Sequence, residues 1–214
     1  MTTTAITTNT ASLVAELGGS SSMTTDFTFG IGNVKDSDAV YFQYPEDGGD
    51  QMTALVSASG RPQTRIGNVF LTGVSVADDV YASSGFEGSK LNVYLMTQSG
   101  KTIMLTAGLT TMWSQCIMIA LMGLADNAAL THLITVDTWK GTSKMKPCFA
   151  AVRDGQVKMT NDYLYEALRE ARNDRNKELQ TKLMRDAVAA VSAALGGDVQ
   201  EAVVSEISDE EVSF

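Results

Sequence analysis

Apolar and polar residues alternate over residues 65–76, which is the pattern of a strand with one buried face. Four further segments in the middle of the chain are also predicted to be strands: residues 90–97, 102–106, 132–138 and 148–153. The first two of these four are separated by residues 98–101, whose small and polar composition is typical of a tight hairpin turn. The middle of the chain is therefore predicted to be built mainly from strands.

Two other stretches repeat apolar residues every three or four positions, which predicts amphipathic helices. The first covers residues 110–124, and its apolar face includes Trp113, which we expect in the core. The second covers residues 161–195 and is predicted to be one long helix, with Asn161 as N-cap and two glycines at its end. Its apolar positions need a partner, either the β domain or another subunit. These positions are Leu179, Leu183, Val191 and Leu195.

The central elements follow the order of three strands, a helix and two strands, which is the order in an OB barrel. We therefore predict a mainly β protein with helices, in which an OB-like five-stranded barrel is followed by a long C-terminal helix and a disordered acidic tail. The predicted parts are a flexible N-terminal arm (1–25), the barrel domain with an N-terminal β extension (26–160), the C-terminal helix (161–196) and the tail (197–214).

Charge is divided unevenly along the chain. The net charge is −9, and residues 197–214 hold six carboxylates without any Lys or Arg, which leaves −3 for the rest. Residues 61–160 carry nine basic and six acidic side chains, so the centre is mildly basic. The acidity of the whole chain therefore does not exclude a polyanionic ligand.

Residues suited to catalysis or metal binding are few. His132 is the only histidine, and Cys116 and Cys148 form no CxxC pair and are expected to be reduced core residues of a cytosolic protein. We predict no enzymatic activity, no metal and no cofactor. The apolar run over residues 116–125 is far shorter than the roughly 20 residues of a membrane span, so we expect no membrane partner.

The element order, the extended segment before it and the acidic tail ending in Phe214 together resemble the single-stranded-DNA-binding proteins of bacteria and phages. The resemblance covers about residues 65–155 and 206–214. It implies a non-enzymatic homo-oligomer that coats single-stranded DNA during replication or recombination, in the cytoplasm of a bacterial cell or a phage-infected host. It also implies that Asp209, Glu210, Glu211 and Phe214 bind replication or recombination proteins, or that the tail competes with DNA. Whether RNA is bound as well stays open.

Nucleic acid would be held by aromatic side chains that stack on bases and by cations that follow the phosphates. The strongest local candidates are in the predicted loop between the last two strands: Trp139, Lys140, Lys144 and Lys146. The alternative for Trp139 is packing on the rim of the barrel. Further candidates are Arg61, Arg65, Tyr94, Lys101, Phe149 and Arg153. For the two aromatic residues the alternative is the core, and for the cations it is ordinary surface solvation.

A second class of function fits the same composition. A structural or assembly protein, such as a virion or complex component, would self-associate through the C-terminal helix and would also lack catalytic motifs. The two classes differ in what the apolar positions of that helix contact.

Overall fold

The computed structural model describes residues 25–32, 38–43, 53–57, 59–78 and 88–196. The predicted N-terminal arm, except Thr25, and the predicted acidic tail lie outside these residues. Nothing in the fold described below tests the predictions made for them.

Nine strands form one mixed sheet in the described part of the chain. They are β1 (Phe27–Ile31), β2 (Tyr41–Gln43), β3 (Thr53–Ala54), β4 (Arg65–Ala77), β5 (Lys90–Thr97), β6 (Thr102–Gly108), β7 (Leu133–Lys140), β8 (Cys148–Asp154) and β9 (Val157–Lys158). Their order across the sheet is β3-β2-β1-β6-β5-β4-β7-β8-β9. Neighbours are antiparallel except β1 and β6, which are parallel.

The prediction of a closed five-stranded barrel is wrong, although the prediction of a mainly β protein with helices is confirmed. The five predicted strands do form an uninterrupted run, β6-β5-β4-β7-β8, but this run does not close on itself. Strand β1 pairs with the outer edge of β6 instead. The edge of a sheet presents unpaired N–H and C=O groups. Since β1 occupies those of β6, the sheet continues as an open one.

Strand β4 is the longest and pairs with β5 on one side and β7 on the other. It carries one extra residue between Ile66 and Val69 relative to β7, and another between Leu71 and Gly73 relative to β5. Asn68, within the first irregularity, has a φ of 56°, a conformation that Asn adopts more readily than most residues. Bulges of this kind bend a strand and increase its twist, so the sheet curls at β4.

Hydrogen bonds between side chains join distant strands across the inside of this curl. The Tyr41 hydroxyl on β2 lies 2.7 Å from Thr138 Oγ1 on β7, although four strands separate β2 from β7 in the sheet. Trp113 Nε1 donates to the same oxygen over 3.1 Å. All three side chains are buried. Burial raises the pKa of Tyr41 far above its usual value, so its hydroxyl stays protonated and needs the partner it has.

Among the described residues, three helices cover the core, and each begins at a side-chain N-cap. They are α1 (Met112–Asp126), α2 (Asp162–Asn173) and α3 (Lys177–Ala194). The prediction of one long helix over residues 161–195 is wrong, because the chain turns between α2 and α3. Arg175 there has a φ of 54°, which ends a helix, and Asn176 caps the next one by accepting from the Leu179 N–H. No helix in the described segments is long and apolar enough to cross a membrane.

The helices and the sheet share one hydrophobic core. Helix α1 packs on β8, and α3 packs on α1 and β4. Trp113 is buried there, as predicted, together with Val191 of α3. Leu183 and Leu195 pack on the same core, while Leu179 stays 40% exposed. Most apolar positions of the C-terminal helical segment therefore find their partner within the same chain.

Helix α1 lies close to the chain before α2 at Gly123. A Cβ atom at this position would lie 2.4 Å from the backbone oxygen of Thr160, just before α2. Beside it, Asn161 Nδ2 donates to Asp126 Oδ2 over 2.7 Å. Only glycine allows the helix to lie this close to the chain that follows β9.

We expect Gly123→Ala to lower the free energy of unfolding by about 1–3 kcal/mol, because a rigid backbone has to move away from the new methyl group. This would occur although Ala favours helix by about 1 kcal/mol relative to Gly. Urea unfolding followed by circular dichroism measures the change. Gly32→Ala is the control, since nothing lies within 4 Å of a Cβ at Gly32. An unchanged or higher urea midpoint for Gly123→Ala would contradict the packing described.

Candidate nucleic-acid interface

Strands β7 and β8 and the loop between them form a hairpin, here called the β7–β8 ribbon (residues 133–154). Strand β7 continues through Lys140, two residues beyond the predicted end, so Trp139 lies on the strand rather than in the loop. The Gly141 N–H donates to the Pro147 carbonyl over 2.8 Å and closes the hairpin. Alternate residues of each strand point to opposite faces, one toward the core and the other, here called the solvent face, away from it.

Two aromatic residues are stacked on the solvent face of the ribbon. Trp139 and Phe149 are directly opposite each other on β7 and β8, with ring centroids 6.1 Å apart and ring planes 18° apart. Trp139 is 44% exposed, and Phe149 is partly exposed rather than part of the core. Of the alternatives left open by the sequence, the structure therefore places both rings at the surface, where a planar ligand could reach Trp139.

Gly141 supports this aromatic pair, a role that the sequence pattern did not indicate. A Cβ atom at Gly141 would lie 2.8 Å from Cε2 of Phe149, closer than side chains normally approach. The missing side chain lets the Phe149 ring rest on the loop. The orientation of Phe149 in turn supports the ring of Trp139 that stacks on it.

The loop carries the lysines predicted to contact phosphates. Lys144 and Lys146 are exposed at its tip on either side of Met145, which is 84% exposed. The Lys146 N–H donates to the Ser143 carbonyl, and its φ of 42° marks a tight turn. Lys140 is opposite Cys148 on the neighbouring strand. Burial raises the pKa of the Cys148 thiol, an effect that the Lys140 charge opposes, and the thiol is therefore protonated at neutral pH.

Two arginines share one carboxylate on the same solvent face. Arg65 Nε donates to one oxygen of Asp137 over 2.6 Å, and Arg153 Nε donates to the other over 3.1 Å. In the described part of the chain, the terminal nitrogens of both guanidinium groups have no hydrogen-bond acceptor. The cluster carries a net charge of +1 and keeps unused donors, which suits the binding of a phosphate.

The pKa of Asp137 reflects this arrangement. Partial burial alone would raise it, but the hydrogen bonds from Arg65 and Arg153, with their positive charges, outweigh burial and lower the pKa. The hydrogen bond to Asp137 in turn raises the pKa of Arg65. Asp137 and Arg65 are therefore both charged over the whole neutral range. The sequence showed Asp137 only as a polar position in a strand, because its partners are on two other strands.

Three of the predicted residues lie apart from the ribbon. Tyr94 is on β5, two strands away, and its hydroxyl lies 3.3 Å from Ser75 Oγ. Lys101 is in the β5–β6 turn, with Nζ 5.6 Å from the centroid of the Phe27 ring. Arg61 is in the turn before β4, where its carbonyl accepts hydrogen bonds from Ser57. The structure thus brings six of the ten candidates to the solvent face of the ribbon or to its tip: Arg65, Trp139, Lys144, Lys146, Phe149 and Arg153. Lys140 belongs to the ribbon, but it alternates with Trp139 and is therefore on the opposite face, beside Cys148.

The residues examined for catalysis or metal binding form no recognisable centre. His132 Nδ1 lies 2.7 Å from Asp154 Oδ2 at the surface. Both cysteines are free, Cys148 buried and Cys116 partly buried. Within the described ranges, no group of three or more His, Cys, Asp or Glu side chains is placed to hold a metal ion.

Comparison with known proteins adds no family assignment. No protein-family model matches the chain. Searches of curated proteins and of solved structures likewise found no significant match.

The lowered pKa of Asp137 predicts a specific dependence of stability on pH. Because the folded pKa is below the ordinary carboxyl value of 3.8, the cluster stabilises the fold above that value. The stabilisation is lost as the pH falls through the folded pKa. We expect Asp137→Asn to lower the free energy of unfolding by about 1 kcal/mol at pH 6, and by progressively less toward pH 2.

Urea unfolding at a series of pH values measures this effect. Asp174→Asn is the matched control, because the Asp174 carboxylate makes no hydrogen bond or ion pair among the described contacts. A difference between wild type and Asp137→Asn that stays constant from pH 6 to pH 2 would show that the carboxylate charge does not stabilise the fold.

Proposed function

We propose that the protein is a non-enzymatic binder of single-stranded DNA that coats the strand in replication or recombination, and that it holds the strand on the β7–β8 ribbon. The observation that carries this proposal is the exposed Trp139–Phe149 stack, which is flanked by a lysine-bearing loop on one side and by two arginines on the other. A surface tryptophan held flat by a second ring is suited to stack on a base, whatever the base is.

The mechanism has two parts. One base stacks on the outer face of Trp139, a contact worth about 1–3 kcal/mol. The ammonium groups of Lys144 and Lys146 and the spare donors of the two arginines neutralise phosphates, and this releases counterions and makes binding weaken with salt. Neither part requires a cofactor or a bond-making step, and both would work in the same way on single-stranded RNA.

The strand pairing supports a further part of this proposal, which is that the fold is related to an OB barrel. The run β6-β5-β4-β7-β8 is the order of an OB barrel opened between its third and fifth strands. The loop between the last two strands of such a barrel commonly contacts the ligand, and here that loop is the tip of the ribbon. The contact between Tyr41 on β2 and Thr138 on β7 brings the two sides of the sheet together without a continuous ladder.

The alternative of an assembly protein has less support. It relied on α3 presenting apolar residues to another subunit, yet Met184, Val188 and Val191 are buried against α1 and β4. Formation of a homo-oligomer remains a prediction.

The titration that tests the proposal uses fluorescein-labelled oligo-dT with anisotropy as readout. We expect Trp139→Ala to weaken binding roughly 5- to 150-fold, the equivalent of losing one stacked base. Wild-type binding should weaken as salt is raised. Intrinsic fluorescence gives a second readout, because Trp113 is buried and only Trp139 can be quenched by a stacked base.

Tyr163→Ala is the matched control, since Tyr163 is an aromatic residue that is 82% exposed and lies on α2, which packs mainly on α1 and α3. It should bind oligo-dT like the wild type. The proposal would be contradicted if the wild type did not bind oligo-dT at low salt, or if both variants lost the same affinity for it.

The acidic tail is proposed to compete with DNA for the cationic ribbon and to present Phe214 to replication or recombination proteins. Its six carboxylates are opposite in sign to the ribbon. We expect a chain lacking residues 206–214 to bind oligo-dT as tightly as the wild type or more tightly. Any gain should shrink as salt rises, because screening weakens the competition.

Phe214→Ala separates the two roles of the tail. It keeps every carboxylate, so DNA affinity should be unchanged while binding to a partner protein is lost. If the truncated chain binds oligo-dT more weakly than the wild type, the tail assists binding and the competition model is wrong.

A further inference from the structure

The solvent face of β7 carries a straight row of four side chains: Leu133, Thr135, Asp137 and Trp139. They share a face because they alternate with Ile134, Val136 and Thr138, which are buried. The ends of the row are six positions apart, and at about 3.4 Å per residue the row is about 20 Å long. Trp139 is at one end of the row. The residue at the other end determines how far along the row a ligand could make contacts.

An aromatic residue of β4 stands at that other end. Phe70 is paired with Leu133 of β7 on one side and with Met96 of β5 on the other. All three side chains are partly buried, and none of them belongs to the hydrophobic core. They form an apolar patch on the same solvent face as Trp139, here called the Phe70 patch.

A bulge puts Phe70 on this face. Arg65 and Phe70 are five residues apart on β4, so regular alternation would direct them to opposite faces. Their partners on β7, Asp137 and Leu133, are four apart and share a face. The extra residue between Ile66 and Val69 shifts the alternation of side chains along β4 by one position. Both Arg65 and Phe70 therefore face solvent.

The stretch between the two aromatic ends is cationic and shallow. Arg153 is opposite Thr135, and Arg65 is opposite Asp137. Beside Thr135, β4 contributes Gly67, where a Cβ atom would lie 3.4 Å from Thr135 Oγ1. Gly67 therefore places no side chain over Thr135.

We propose that Phe70 is a second base-stacking residue, and that one single strand of nucleic acid runs along β7 from Phe70 to Trp139 with its phosphates at Arg65 and Arg153. This inference rests on the proposed function. The order of aromatic ring, guanidinium groups and aromatic ring matches the order of base, phosphates and base in such a strand. A purely apolar partner would leave two arginines beside its contact, whereas a polyanion uses them.

The length of the row sets the size of the site. At the stacked spacing of about 3.4 Å per nucleotide, 20 Å holds roughly six nucleotides, and fewer if the strand is stretched. A strand of two nucleotides reaches one aromatic end only. A strand of six can occupy both ends together.

The test is an oligo-dT length series from dT2 to dT10 with wild type, Phe70→Leu and Trp139→Ala, read by anisotropy at low salt. Phe70→Leu keeps an apolar side chain beside Leu133 and Met96, so the fold is retained, but it removes the ring. Wild-type affinity should rise steeply up to about six nucleotides and then level off. Phe70→Leu should match wild type on dT2 and bind dT6 and longer strands roughly 5- to 150-fold more weakly.

The other outcomes separate this inference from the proposed function. If Trp139→Ala weakens binding but Phe70→Leu binds every length like the wild type, the second stacking site is wrong and the ribbon proposal stands. If Phe70→Leu weakens the binding of all oligonucleotide lengths equally, the second stacking site is also wrong. A change in molecular mass by light scattering without a change in the length series would assign the Phe70 patch to a second copy of the chain. If no oligonucleotide binds the wild type, both proposals fail.

Discussion

Strand β4 has to pair with a neighbour on each side and bend at the same time, and its two bulges make both possible. Without the bend, β2 could not approach β7, and the buried hydroxyl of Tyr41 would lose Thr138 as its partner. Without the extra residue near Asn68, Arg65 and Phe70 could not share a face. The core on one side of the sheet and the candidate interface on the other therefore both depend on the same strand.

Asp137 has two opposite effects on the candidate interface. Asp137 removes one positive charge from the surface, and a phosphate would meet a weaker field there than beside two unpaired arginines. In exchange, its two oxygens hold Arg65 and Arg153 from strands on either side, so that less side-chain freedom is lost when a ligand binds. Gly141 and Phe149 do the same for Trp139, since they restrain its ring before any base arrives.

Local patterns predicted the individual elements well where each element depends on nearby residues. Local composition predicted β5 with the bounds that the structure has, and Asn161 was correctly predicted as an N-cap. The same reasoning failed at residues 174–176, because Arg175, whose left-handed φ ends α2, is neither Gly nor Pro. The local signal was Asn176, the N-cap of α3, which the prediction of one continuous helix passed over.

The amino-acid order by itself determined the five central strands, the mildly basic charge of the centre, and the closeness of Trp139 to three lysines along the chain, since these depend on residues that are near in sequence. Only the tertiary structure decided that the sheet stays open, that Asp137 joins two arginines and that Phe70 and Trp139 share a face. Each of these depends on register between strands that are distant in sequence. A shift of one residue reverses every side chain of a strand, and the bulges that set this register in β4 arise from pairing on both sides at once.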